Sequence, residues 1–303
     1  MDTRTRPAKP AYAELARLQV RLHHLGHVRA IVSWDRSAMM PPGGSEARSA
    51  AEAELDALIH RVRTDPRQIE WLRGAHDEPL DDIERANLRE IRRKWRDASA
   101  VPEALVEAKT LAGARCEHAW RTQRPANDWR GFLENWREVV RIVREEAQLL
   151  SDDSGLSRYD ALVERFEPGM RTAELDRVFG DLKQWLPGLI RRVQEKQGRE
   201  KFIAPTGPFP TPKQRELSLA LMKLLGFDFG AGRLDESAHP FCGGVPEDLR
   251  LTTRYSEQDF TRSLMSTIHE TGHARFEQNL TREWLGQPIG RARSFGIHES
   301  QSL

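Results

Sequence analysis

The sequence predicts a mainly α chain with a small β-sheet at a cleft, on three observations. Apolar residues recur at three- and four-residue intervals along most of its length, the period of a helix buried on one face. Charged residues make up 31% of the composition, which suits long helices with solvated outer faces. One segment, Asp248 to Tyr255, instead alternates. Leu249, Leu251, Thr253 and Tyr255 then share one side of a strand, and Asp248, Arg250 and Thr252 the other.

Taken in order, Tyr12 to Ser33 and Ser45 to Val62 read as an antiparallel helical pair, separated by the Pro41-Pro42-Gly43-Gly44 turn. Asp81 to Trp95, Pro102 to Arg121 and Asp128 to Leu150 follow as helices. The stripe Phe132, Trp136, Val139, Val143 and Ala147 marks the packed face of the last. Thr172 to Gln197 carries Leu175, Phe179, Leu182, Leu186 and Ile190 on one side, with a kink expected at Pro187. Lys201 to Pro210 is a proline-rich connector. Thr211-Pro212-x-Gln214 then reads as a capping box with proline at the first helical position. Asp259 to Leu280 is a helix whose Phe260, Leu264, Ile268 and Phe276 fall on one face. Residues 1–303 thus read as one mostly helical region. Within it, 1–70 is an N-terminal helical pair, 71–200 a helical body, and 201–303 a cleft strand followed by a motif-bearing helix.

Composition excludes several classes. A formal net charge of +1 gives no drive toward nucleic acid or a membrane surface. No apolar stretch approaches the roughly 18 residues of a membrane span. Met1-Asp2-Thr3-Arg4 lacks the apolar run of a secretory signal. Cys116 and Cys242 stand far apart without paired spacing and read as reduced cytoplasmic thiols.

The chemistry concentrates in His269-Glu270-x-x-His273. Two histidines four apart on a helix lie one turn from each other on one face, so their imidazoles can converge on one ion. Glu270 follows the first histidine, where a general base would deprotonate an attacking water. Gly272 sits in the helix interior at a cost of about 1 kcal/mol relative to alanine. Close approach of another backbone explains it, as does simple tolerance. A hydrolytic site needs a third protein ligand. Glu299, in His298-Glu299-Ser300-Gln301, supplies one 26 residues past His273, with His298 as the rival. His23 and His27 share the same spacing without an acid between them that could serve as a base.

His239-Pro240-Phe241, Asp248-x-Arg250-x-Thr252, His269-Glu270-x-x-His273 and His298-Glu299-Ser300-Gln301 occur in that order over some 60 residues. In this the chain resembles the M32 metallocarboxypeptidases, the thermostable carboxypeptidase type. Trp34-Asp35 with Met40-Pro41-Pro42-Gly43-Gly44, Tyr159-Asp160-Ala161-Leu162 with Glu167-Pro168-Gly169-Met170, and Gly226-Phe227-Asp228 with Gly232-Arg233-Leu234-Asp235 extend the likeness over nearly the whole chain. The resemblance implies a zincin-like helical peptidase that removes single residues from peptides with a free C-terminus. It uses Zn2+, with Co2+ able to substitute, and is commonly a homodimer. By motif match, His269, His273 and Glu299 carry over as metal ligands and Glu270 as the base. Asp248, Arg250 and Thr252 carry over as cleft wall, and His239 and His298 join them as candidate substrate-binding residues.

Phe276 departs from the family, which commonly has tyrosine there. A larger departure is the end at Leu303, four residues past the third ligand, where family members continue. The C-terminal part of the family fold is expected to carry a further glutamine motif, the arginine that anchors the substrate carboxylate, and an oxyanion-stabilising side chain. The alternative to a peptidase is therefore a catalytically impaired metal-binding fragment that acts through association or dimerisation.

Overall fold

The opening helix α1 spans Pro10–Ala38 in a computed structural model that describes residues 8–302. The proline-glycine break becomes a 3-10 turn, Pro42–Gly44, and α2 (Ser45–Arg63) returns from it. Ion pairs Arg29–Asp56 at 2.8 Å and Arg36–Glu52 at 3.2 Å join the two helices. Partner numbers that rise on α1 as they fall on α2 make the pair antiparallel, as the sequence predicts. Leu18, Leu22, Ile59 and Val62 close the contact between them.

A helix that periodicity does not announce, α3 (Gln68–Asp77), follows. Its Leu72 and Ala75 bury against Leu15 of α1 and Ile91 of α4 (Asp82–Ser99), and packing sustains an element too short to be stable in water alone. Asp81 starts α4 with a capping box: its carboxylate accepts from Glu84 N at 2.8 Å, and Glu84 accepts in return from Asp81 N at 2.8 Å.

The body is α5 (Glu103–Gln123), α6 (Trp129–Ser154) and a short α7 (Arg158–Phe166). The stripe predicted on α6 turns inward only toward its C-terminal end. Ile142, Ala147 and Leu150 are buried there, while Trp136 lies on the surface, stacked on Phe132. Helix α8 (Thr172–Gln197) runs through Pro187 without interruption and buries none of its own described residues.

Helix α9 (Thr211–Leu224) starts one residue before the predicted first position, with Pro210 rather than Thr211 at its cap and without the capping box. Gln214 is buried and its amide nitrogen donates to Phe209 O at 2.7 Å and Ser256 O at 2.8 Å. Its amide oxygen accepts from Ser263 at 2.8 Å, so the side chain meets the helix start as a donor and not as the acceptor a capping box needs.

Three strands form one sheet in the order β1-β3-β2: β1 (Gly232–Glu236), β2 (Cys242–Val245) and β3 (Asp248–Thr253). Strand β3 pairs parallel to β1 and antiparallel to β2. The sequence signals β3 alone, because β1 buries only Leu234 and β2 is half glycine. With both edges of β3 paired, its backbone is not free to take an added peptide strand. Leu249 and Leu251 pack with Met222 of α9 and Ala274 of α10 (Thr261–Gln278).

The buried face of α10 is not the apolar one. Ser263, Thr267, Glu270, Thr271, Ala274 and Gln278 are buried, whereas Leu264 and Ile268 stay half exposed. Hydroxyls make the seam: Ser263 donates to Gln214 at 2.8 Å, and Thr267 and Ser266 lie 3.2 and 3.0 Å from Ser218 and Thr253. Directed bonds of this kind fix the rotation of a helix more tightly than apolar contact does, and α10 carries His269, Glu270 and His273. The described chain closes with α11 (Phe295–Glu299). Among the described residues no helix is long and apolar enough to cross a membrane.

Candidate metal centre

One turn of α10 separates His269 from His273, and their rings meet edge to face with centroids 4.8 Å apart. The last turn of α11 brings Glu299 to them. Its carboxylate oxygens lie 3.6 Å from His269 Nε2 and 3.5 Å from His273 Nε2. All three donor atoms fall within 4.8 Å of one another, the one such group of three among the described residues. Two imidazole nitrogens and one carboxylate oxygen form the donor set of a hydrolytic zinc site with a position left for water. The spacing is that of atoms around a shared cation, so the residues fit the group.

Gly272 explains how the third donor arrives. A β-carbon there would stand 2.6 Å from Ser302 Cα and closer still to Gln301 O. The glycine lets residues 301–302 lie flat on α10, which settles the choice the sequence left open: backbone approach, not tolerance. Docked there, Ser302 O sits 3.1 Å from His269 Nδ1. A carbonyl only accepts, so Nδ1 carries the proton and Nε2 keeps its lone pair for the ion. Burial, with His298 and His269 beside it, holds His273 below its ordinary pKa and keeps it neutral, the form that ligates.

Glu270 is 7% exposed. Burial pushes its carboxyl up to about 7, with His269 opposing and Glu299 adding to the shift. A carboxylate tuned to neutrality beside a metal site is what general-base chemistry uses.

His298 points away from the three donors. Its Nε2 lies 3.1 Å from Glu277 Oε1, and its ring stacks on His273 with centroids 4.6 Å apart and planes within 13°. Phe276, where the family commonly has tyrosine, meets His298 edge-on at 5.0 Å. Neither Ser302 nor Glu277 was legible as a site residue. A backbone carbonyl carries no sequence signal, though the interior glycine at 272 hinted at the first.

The other candidates gather elsewhere. Asp248 and Arg250 form a two-pronged pair at 2.8 and 3.0 Å, and His27 Nε2 lies 3.1 Å from the same carboxylate. The Arg250 guanidinium covers the Trp34 ring of α1 at 4.7 Å. Thr252 is fully buried, its hydroxyl accepting from Ser237 at 2.7 Å and Phe241 N at 3.1 Å. His239 is exposed and lines a cavity of about 330 Å³ with Glu117, Trp120 and Arg121 of α5. With His27 on Asp248 and His23 on Arg291 at 3.0 Å, those two histidines do not converge on an ion.

The family model described as Carboxypeptidase Taq (M32) metallopeptidase matches residues 14–303. Thermostable carboxypeptidase 1 of Thermus thermophilus is 39% identical over 304 residues, covering 96% of this chain and 60% of its own length. Carboxypeptidase 1 of Bacillus subtilis is 32% identical, covering 93% of this chain and 57% of its own. Among solved structures, Trypanosoma cruzi metallocarboxypeptidase 1 superposes with a TM-score of 0.88 at 44% identity, over 98% of this chain and 60% of the other. The chain thus spans about three fifths of the length of the relatives it matches.

Proposed function

This chain belongs to the M32 metallopeptidase family, and from that premise we propose that it provides the zinc-binding, hydrolytic part of a metallocarboxypeptidase. Its substrates are peptides with a free C-terminus. The observation that carries this reading is the convergence of His269, His273 and Glu299, with buried Glu270 one residue along from the first ligand.

His269 and His273 would hold the ion through Nε2 and Glu299 through its carboxylate, with Co2+ able to replace Zn2+. A bound ion would supply Lewis acidity toward the scissile carbonyl and an attacking water. Glu270 takes the proton from that water and hands it to the leaving amine. Ser302 O keeps His269 in the ligating tautomer, and the Glu277–His298 pair backs the ring of His273. Asp248, Arg250 and Thr252 act by holding β3 to α1 and to the 237–241 loop, and so shape the cleft wall. His239, on that loop, and His298 flank the peptide. The working protein is read as a cytoplasmic homodimer, in keeping with two unpaired thiols and the family resemblance.

The test uses purified chain, stripped of metal and reloaded with zinc, incubated with an N-blocked dipeptide and its C-terminally blocked counterpart. The expected result is slow release from the free-carboxylate peptide alone, with one zinc per chain, and loss of both in His269→Ala. A full equivalent of zinc retained at this site by His269→Ala would overturn the ligand assignment.

A second reading, a metal-binding partner that acts by association, is favoured by α8, whose Phe179, Trp185 and Ile190 stand exposed. Zinc binding without any peptide release in the same assay would select it.

A further inference from the structure

A small cavity away from the three metal donors is lined by cations and by no acid. Arg63 from α2, Lys94 and Trp95 from α4, and Arg291 beyond the 288–290 turn surround about 30 Å³, together with Gln19 and Gln68. That is room for one or two waters, or for one small ion.

The three cations lack carboxylate partners. Among the described residues, none of them lies within ion-pair distance of an acid, and the acids nearest in influence are committed elsewhere. Asp97 bonds Arg165 at 3.0 Å, Asp56 bonds Arg29 at 2.8 Å, Glu90 bonds Arg93 and Arg293 at 2.9 and 2.8 Å, and Glu277 bonds His298. The indole N–H of Trp95 is buried with no hydrogen-bond partner, and an indole nitrogen can only donate. A buried donor left unsatisfied is costly, and most such groups in native proteins meet an acceptor. Burial and the neighbouring cations Arg291, Arg93 and Arg63 also hold Lys94 down to about 8. Every group with a preference at this cavity asks for negative charge.

We propose that Arg63, Lys94, Arg291 and Trp95 form a binding site for a small monovalent inorganic anion of halide size. Arg63 and Arg291 are exposed, so the cavity opens to solvent, and its 30 Å³ suits a small bare anion better than sulfate or phosphate. The absence of acids from the lining disfavours a metal or an ammonium group. Arg291 also lines the neighbouring 310 Å³ cavity that contains Glu277 and His298, so an anion held here restrains an arginine next to the residues that back His273.

The experiment compares thermal unfolding of the purified chain in sodium chloride, bromide, acetate and gluconate at matched ionic strength, and in Lys94→Met and Trp95→Phe. The expected result is a saturable rise in Tm of about 5 °C in chloride and bromide over gluconate, the size set by ligand near a hundredfold above its Kd. Both variants should lose most of it. Lys94→Met removes a buried charge and so should fold; Trp95→Phe keeps the ring and removes only the donor. Identical responses to all four salts would mean charge screening alone and overturn the site. A rise in acetate but not in chloride would replace the halide with a carboxylate and overturn the assignment. A full chloride response in Lys94→Met would do the same.

Discussion

Gly272 and Ser302 are in backbone contact: a β-carbon on the first would stand 2.6 Å from the Cα of the second. Through that contact α10, which carries two of the proposed ligands, also seats the segment that brings the third, since Glu299 lies three residues before Ser302. The contact also delivers Ser302 O to His269 Nδ1 at 3.1 Å. Gly272→Ala should therefore push residues 299–302 off the helix. Loss of an outer-shell partner commonly costs 10- to 100-fold in metal affinity, so zinc affinity should drop by about that factor or more. Competition against a chromophoric chelator reads it. Helix propensity alone predicts the opposite sign for stability, about 1 kcal/mol in favour of alanine. A variant that is more stable with unchanged zinc affinity would show the contact to be incidental.

Glu270→Gln keeps the shape and removes the proton acceptor. Peptide release should fall by at least about 100-fold, with zinc stoichiometry unchanged because Glu270 is not among the three donors. In metal-free chain the substitution also has a stability signature. Burial raises the Glu270 pKa from 4.5 to about 7, so the folded state binds this proton more tightly than the unfolded chain does. Its contribution is fully present below pH 4.5 and is lost as pH rises to about 7. The melting temperature of Glu270→Gln relative to the parent should climb through that window and level off above it. A flat difference across pH 4–8 would mean that Glu270 is not desolvated.

Much of the candidate centre is legible because a metal site needs donor residue types at fixed spacing, and the expected donors His269, His273 and Glu299 do converge. His269, Glu270, His273 and Glu299 announce themselves, as does the helix that holds three of them. What was not legible depends on polar packing. Periodicity marks Leu264 and Ile268 as the buried side of α10, yet Ser263, Thr267 and Thr271 are buried instead, because hydroxyls bonded to Gln214 and Ser218 of α9, to Thr253 of β3 and to the helix's own carbonyls leave no hydrophobic trace. Strands β1 and β2 went unread for a related reason. Arg233 and Asp235 of β1 bond to each other at 2.6 Å, and glycines fill half of β2, so neither shows the alternation that reveals β3.

Arg250 offers a test of what the cleft-wall motif does. Its guanidinium is engaged along one edge, where Nε and Nη2 bond both oxygens of Asp248, and on one face by the Trp34 ring. Holding that carboxylate is its first role in the fold. Arg250→Ala should destabilise the fold by about 2 kcal/mol, by stripping a half-buried carboxylate of its main partner, and should leave zinc affinity intact. The Asp248 carboxyl, held below its ordinary range first by Arg250, should titrate upward, visible by NMR. An unchanged melting temperature with KM raised tenfold would instead put Arg250 on the peptide.

Lys94 gives the last prediction, and its sign runs opposite to that of Glu270. Its pKa falls from 10.5 to about 8, first through burial and then through Arg291, Arg93 and Arg63. Between those values the unfolded chain holds a proton that the folded chain has released, so stability rises with pH across that window. Read downward, the contribution is intact above pH 10.5 and is lost as pH falls through 8. Lys94→Met removes the group that pays this penalty at neutral pH. In gluconate buffer, free of small anions, the variant should melt above the parent at pH 7, and the gap should narrow as pH climbs from 8 to 10.5. Chloride should narrow the same gap at pH 7, because an anion beside Lys94 offsets the repulsion that the substitution removes. Two stability curves that stay parallel from pH 7 to 10.5 would show that Lys94 is hydrated and titrates as a surface lysine.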